Sequence, residues 1–193
     1  MLAYVFWHWR RPTATAAEYE AAQRRFHAAL AGAPPSGFER SFSVAIGGAA
    51  WAADRGEAYE DWYLLDGSAA LDPLNAAAIS ASRQAPHDAA AALAAGGTAG
   101  LYALRQGNPL VPPAMLTWFA KPDGMAYRDL FAMLEPLAGS ADGALWCRQM
   151  TLGAALEFCL HSRDPVVLPA PFAPFAIGAR AVWPMASDRA IGR

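Results

Sequence analysis

One order of elements occurs twice along this chain, and that repetition limits the folds open to it more than any other feature. Residues 2–9 are aromatic and β-branched, which predicts a strand, and Pro12 and Thr13 break it. Thr15 opens a helix in which Tyr19, Ala22, Phe26 and Leu30 recur at spacings of three and four, and Gly32-Ala33-Pro34-Pro35-Ser36-Gly37 ends it. Strands follow over Glu39–Ile46, with a turn at Gly47-Gly48, and over Tyr59–Leu65. Two helical stretches come next, Ala69–Ala81 and Pro86–Ala95. Gly96-Gly97 stops them, and Gly100–Leu104 is a fourth strand. Asn108–Pro113 then places three prolines in six residues, and the order restarts. Met115–Ala120 is a strand, Ala126–Leu137 a helix, and Leu145–Leu152 with Ala155–His161 a hairpin about Gly153. Asp164–Pro174 is irregular, and Gly178–Trp183 is the last strand. The expected division is 1–108 and 109–193.

Short stretches of the two halves align in the same order. Arg40-Ser41-Phe42-Ser43-Val44 lies on Arg148-Gln149-Met150-Thr151-Leu152, Asp61-Trp62-Tyr63-Leu64 on Glu157-Phe158-Cys159-Leu160, and Trp7 on Trp118. Composition supplies the core: 55% of the 193 residues are apolar and 17% charged, which argues against disorder. A net charge of −2 argues against nucleic acid, whose phosphates call for a basic stripe. Lys121 is the only lysine, and arginine with abundant alanine reads first as coding bias. No stretch approaches the ~18 apolar residues of a membrane span, and the apolar start carries its charges on the wrong side for a secretory leader. Cys147 and Cys159 form no disulfide framework and no zinc spacing. A cytoplasmic location is the expectation.

Repeated β-α-β-β-α-β-like units follow the ferredoxin-like pattern. Two such sheets in one chain resemble the dimeric α/β-barrel superfamily, and the Tyr59–Leu104 segment, with Asp72-Pro73-Leu74-Asn75 and Pro86-His87-Asp88, is similar to uncharacterised bacterial proteins of that kind. The resemblance implies an α+β chain of two fused ferredoxin-like units packed as an α/β barrel, with a cavity between the sheets or at their mouths. It implies no single chemistry, since the superfamily spans enzymes, haem proteins and plain binders. A homodimer stays open.

Alternation along the strands then sorts side chains by face. Placing Phe158 and Leu160 against a helix turns Glu157, Cys159 and His161 inward. The internal match turns Asp61, Tyr63 and Leu65 inward too, with Ser41, Ser43, Gln149 and Thr151. Placing Trp7 and Trp118 on the helix side adds His8, Phe6, Thr117 and Phe119. An inner face so polar calls for a ligand pocket. His8 and His161 are the candidate proton carriers, since an imidazole titrates near neutral pH. Asp61, Tyr63, Glu157 and Cys159 are the candidate ligand contacts. Arg40 and Arg148, at matching strand starts, could clamp a carboxylate. His8 and His161 with Asp61 or Glu157 have the ligand types of an iron or zinc site but no diagnostic spacing, so no metal is assigned. Cys159 beside His161 is a weaker candidate nucleophile, and a buried Cys is commonly a small hydrophobe. His27, His87 and Asn75 read as surface or local residues. No phosphate loop, GxSxG or HExxH occurs, and no motif names a cofactor. The expected function is small-molecule binding, as a cofactor-independent enzyme on an aromatic or carbonyl metabolite. The alternatives are a non-catalytic binding module or a haem- or metal-dependent oxidoreductase.

Overall fold

The computed structural model describes residues 1–47, 57–151 and 155–184. The expected turn at Gly48 and the hairpin tip at Gly153 lie outside them. Among the described residues eight antiparallel strands close into a barrel: β1 (Leu2–Arg10), β2 (Phe38–Gly47), β3 (Glu57–Leu65), β4 (Ala94–Gly107), β5 (Met115–Phe119), β6 (Ala144–Thr151), β7 (Phe158–Ser162) and β8 (Phe175–Trp183). Around the barrel the order is β1-β3-β2-β8-β5-β7-β6-β4, closing between β4 and β1. The first four strands therefore lie in the order β4-β1-β3-β2, and the last four in the order β8-β5-β7-β6. Helix α1 (Ala16–Gly32) connects β1 to β2, and α4 (Tyr127–Ala138) connects β5 to β6. Helices α2 (Leu71–Ala78) and α3 (Ala81–Leu93) fill the β3–β4 connection, whereas β7 and β8 are joined through a single short 3-10 turn, Ala170–Phe172. No helix among the described residues is long and apolar enough to cross a membrane.

Local chemistry explains the helix ends. Thr15 caps α1, its hydroxyl accepting from the Glu18 amide while the Glu18 carboxylate accepts from the Thr15 amide. Helix α2 follows a 3-10 turn, Ser68–Ala70, so Asp72 falls in its first turn and not at the cap. Helix α3 begins at Ala81, five residues before Pro86, so Pro86-His87-Asp88 is not a helix start. Strand β4 begins at Ala94 and runs through Gly96-Gly97, which pair with Trp9 and His8. A Cβ at Gly97 would enter the Phe6 ring, and one at Gly96 would stand 3.0 Å from the Trp9 ring. These glycines let aromatic rings lie across the strand and do not mark a helix stop.

The lumen is a packed aromatic core. Trp7, Phe42, Trp62, Tyr102, Trp118 and Trp146 are all fully buried and come from six different strands. An eight-stranded barrel has an interior just wide enough for side chains to fill. Trp7 meets Trp118 edge-on at 5.5 Å, Trp62 meets Trp146 tilted at 5.4 Å, and Phe42 stacks on Trp62 at 5.7 Å. This reverses the face expected for the first half. Trp62, Leu64, Phe42, Val44 and Ile46 point inward with Trp7 and Trp118, while His8, Phe6, Ser41, Asp61, Tyr63 and Leu65 stand on the outer face. In the second half Phe158 and Leu160 do pack with Leu130 and Leu134 of α4, and Cys159 and His161 do face the lumen. Thr117 and Phe119 sit on the outer face with them, because Trp118 is inward and neighbours alternate. The slip has a simple cause. The sequence match sets Trp62 on Phe158, but both Trp118 and Trp146 pair with Cys159, just as Val5 and Phe42 pair with Trp62, so the equivalent of Trp62 is Cys159. One residue of register exchanges the two faces of a strand.

One carboxyl is enclosed in this lumen. Glu60 Oε2 accepts from Trp62 Nε1 at 3.0 Å, and the Trp7 and Trp118 indoles also favour its carboxylate. Burial outweighs them and pushes the Glu60 carboxyl up to about 7. The folded state thus binds this proton more tightly than the unfolded chain, and the stability it contributes is lost as pH rises from the ordinary carboxylate range through 7. Glu60→Gln should remove that dependence, changing the wild-type-minus-variant stability by about 3 kcal/mol across the window in urea unfolding. Parallel profiles would refute the assignment. Separately, Phe158→Ala should cost ~3–5 kcal/mol as a truncation in the α4 cluster, read by the same method.

Candidate functional site

A cavity of about 450 Å³ lies outside the barrel, between the outer face of β1, β3 and β4 and the three helices α1, α2 and α3. Its walls are mostly apolar: Tyr4 and Phe6 of β1, Phe26 of α1, Leu74 and Ala78 of α2, Ala90 and Ala91 of α3, and the Ala94–Gly97 start of β4. Its polar groups are Asp61 and Tyr63 from β3, Tyr19 and Gln23 from α1, Asn75 from α2 and His87 from α3. Size and composition suit a small, largely apolar molecule with a few directed hydrogen bonds.

Asp61 is 2% exposed and stands at the meeting point of three elements. His8 Nε2 approaches its Oδ2 at 3.2 Å and His27 Nε2 its Oδ1 at 3.3 Å. The Tyr63 hydroxyl donates to Oδ2 at 3.0 Å. Burial alone would raise the Asp61 carboxyl, but the His8 and His27 imidazoles hold it well below the ordinary carboxylate range. It is therefore ionised at neutral pH and accepts only. That orients both rings: each turns its Nε2–H toward Asp61, leaving Nδ1 as an acceptor. His8 Nδ1 accepts from the Tyr19 hydroxyl at 2.7 Å, and His27 Nδ1 from the Ser41 hydroxyl at 2.7 Å. Ring stacking fixes the imidazoles further, His8 on Tyr59 at 5.5 Å and His27 on Tyr63 at 5.4 Å. Burial, reinforced by Asp61, raises the Tyr19 phenol, so Tyr19 keeps its proton.

The result is a line of polar groups, Tyr19–His8–Asp61–His27–Ser41, with Tyr19 and Asp61 at the cavity surface and both histidines fully buried behind it. Tyr, His and Asp in this order repeat the logic of a hydroxyl, a base and an orienting carboxylate. A hydroxyl that faces a ligand and is backed by an imidazole can donate to a ligand oxygen or pass a proton inward.

Of the residues expected from sequence, His8, Asp61 and Tyr63 are brought together here. His161 and Cys159 are on the other side of the sheet, inside the lumen. There His161 Nδ1 accepts from Trp146 Nε1 at 3.3 Å, burial pushes its imidazole down to about 3, and the Trp62 ring meets it edge-on at 4.4 Å. Burial pushes the Cys159 thiol well up, with Glu60 adding to the effect, which keeps the sulfur protonated. Glu157 accepts from the Tyr127 hydroxyl at 2.8 Å, near α4. Arg40 Nη1 donates to the Leu110 carbonyl at 2.6 Å and Arg148 Nη1 to the Ala155 carbonyl at 2.9 Å, so each guanidinium braces main chain. His27, expected at the surface, is fully buried in the site, and His87 and Asn75 line the cavity. Tyr19, Gln23 and His27 recur every fourth residue on one helix face, a spacing that pointed to their common direction. Among the described residues no group of three or more His, Cys, Asp or Glu side chains is placed to hold a metal ion.

Replacing Asp61 by Asn leaves two imidazoles facing an amide in a site closed to water. Asp61→Asn should therefore destabilise the fold by about 1.5–3 kcal/mol or more at neutral pH in urea unfolding, the cost of losing hydrogen bonds to a buried charged group. A loss under about 1 kcal/mol would show that the pairing carries little.

No family model matches the chain, and no curated protein matches it. A solved structure described as "Crystal structure study of anthrone oxidase-like protein" is similar over 94% of this chain and 93% of that one, with a TM-score of 0.45 and 10% identity.

Proposed function

We propose that this protein binds a small aromatic or carbonyl metabolite in the cavity between the sheet and α1–α3, and that it moves a proton on that ligand with its own side chains. The observation that carries the reading is the Tyr19–His8–Asp61 line ending at the wall of an apolar cavity of about 450 Å³. Tyr19 meets the ligand oxygen, His8 accepts or returns the proton, and Asp61 holds the His8 tautomer and balances the imidazolium. Tyr63 positions Asp61, and Tyr4, Phe6 and Phe26 supply ring contacts for a flat ligand. The matching strand orders of the two halves support a chain of two fused ferredoxin-like units. The cavity belongs to the unit that keeps helices between its third and fourth strands.

Two measurements test this. A panel of small aromatic ketones and phenols screened by thermal shift should yield compounds that stabilise the wild type, by about 2.7 kcal/mol at a hundred times Kd. The same compounds should not stabilise Ala78→Phe, which places a ring in the cavity. Equal stabilisation of both would put binding elsewhere. For a ketone that binds, exchange of its α-hydrogen for solvent deuterium, followed by NMR, should slow by ~10²-fold or more in Tyr19→Phe and in His8→Gln. Unchanged exchange in both would remove the proton-transfer role.

A further inference from the structure

Asp61, His8 and His27 share a space from which water is shut out, Asp61 being 2% exposed and both rings fully buried. The groups that face them are hydroxyls and aromatic rings: Tyr19 from α1, Ser41 from β2, and Tyr59 and Tyr63 from β3. Each ring turns Nε2 to the Asp61 carboxylate and keeps Nδ1 as a proton acceptor, so a proton taken up at Nδ1 makes a cation beside that carboxylate. No lysine or arginine lines the cavity, so an anion bound there finds its counter-charge in these two rings. They differ in their access to it. His8 is joined to the cavity through the Tyr19 hydroxyl at 2.7 Å, whereas His27 is joined to Ser41, which is buried and does not line the cavity.

Building on the ligand pocket proposed above, we infer that its ligand is a weakly acidic hydroxyl compound, a phenol or an enol, held as its anion with the released proton retained on His8. The ligand O–H bond breaks and its proton joins the Tyr19 oxygen, as the Tyr19 proton passes to His8 Nδ1. The electron pair stays on the ligand oxygen, and nothing is oxidised or reduced. Tyr19 then donates to the oxyanion, and the His8 imidazolium spans Tyr19 and Asp61. The ligand brings in the proton that His8 keeps, so the net charge of the site is the same empty and filled, and the imidazolium stands between the Asp61 carboxylate and the ligand anion. A permanently charged carboxylate or phosphate brings no such proton, and no lysine or arginine lines this cavity to meet it.

The probe is para-nitrophenol, whose anion absorbs at longer wavelength than the neutral form, with para-nitroanisole as an isosteric competitor that has no proton to give. At a pH well below the phenol's own ionisation, adding wild-type protein should raise the anion band saturably. The bound probe should be about tenfold or more richer in anion than the same probe in buffer, equivalent to one pKa unit. Para-nitroanisole should displace it and abolish the band. Tyr19→Phe and His8→Gln should still bind the probe, by competition with the anisole, but leave it neutral. A wild-type protein that binds the probe competitively and leaves it as the neutral phenol overturns this inference while leaving the pocket in place. A band that survives in both variants overturns the assigned route. Failure of both probes to bind removes the pocket reading and this inference with it. Should either variant fail to fold by circular dichroism, the wild-type comparison of phenol and anisole decides.

Discussion

Closure of the sheet is the constraint on which everything else rests. Eight strands leave a lumen that side chains alone can fill, so the inward residue of each strand must be large, apolar or neutral. Helices cover the first-half strands from outside, so those strands bury their outer residues too. With β3 buried along most of both faces, polarity no longer distinguishes inside from outside by contact with water. It distinguishes them by available partners. The lumen offers indole N–H groups and ring edges. The outer layer offers hydroxyls, imidazoles and a space that a ligand can enter.

Strand β3 shows the outcome within one peptide unit. Glu60 and Asp61 are both buried acids, and their chemistry is opposite because alternation sends them to different layers. Burial dominates at Glu60, whose neighbours donate hydrogen bonds without bringing charge, and its carboxyl is pushed up to about 7. At Asp61 two imidazoles overcome the same penalty and keep the carboxylate charged. A strand can therefore carry a near-neutral acid and a fixed anion side by side without their sharing an environment.

Much of this was legible in the residues. The order of strands and helices is readable from sequence because turn chemistry and periodicity are local. That His8, Asp61 and Tyr63 belong together was also legible, since residues two apart on one strand share a face and β1 was expected to follow the same rule. The absolute direction of that face was not. Trp62 and Phe158 are both large and aromatic, and nothing local says that one fills a lumen while the other meets a helix. The role of His27 is not legible in sequence, because a histidine beside Phe26 on an amphipathic helix looks like a boundary residue and only the fold sets Asp61 opposite it. Strand β4 runs longer than its sequence suggests because Gly96-Gly97, which resembles a helix stop, serves the Phe6 and Trp9 rings instead.

Four of the seven tryptophans, Trp7, Trp62, Trp118 and Trp146, touch one another or Tyr102 inside the lumen. Indoles held this close couple their electronic transitions. The near-ultraviolet dichroism of these four indoles therefore reports on the integrity of the barrel, while Trp183, stacked on His27, stands on the outer side of the sheet beside the candidate site.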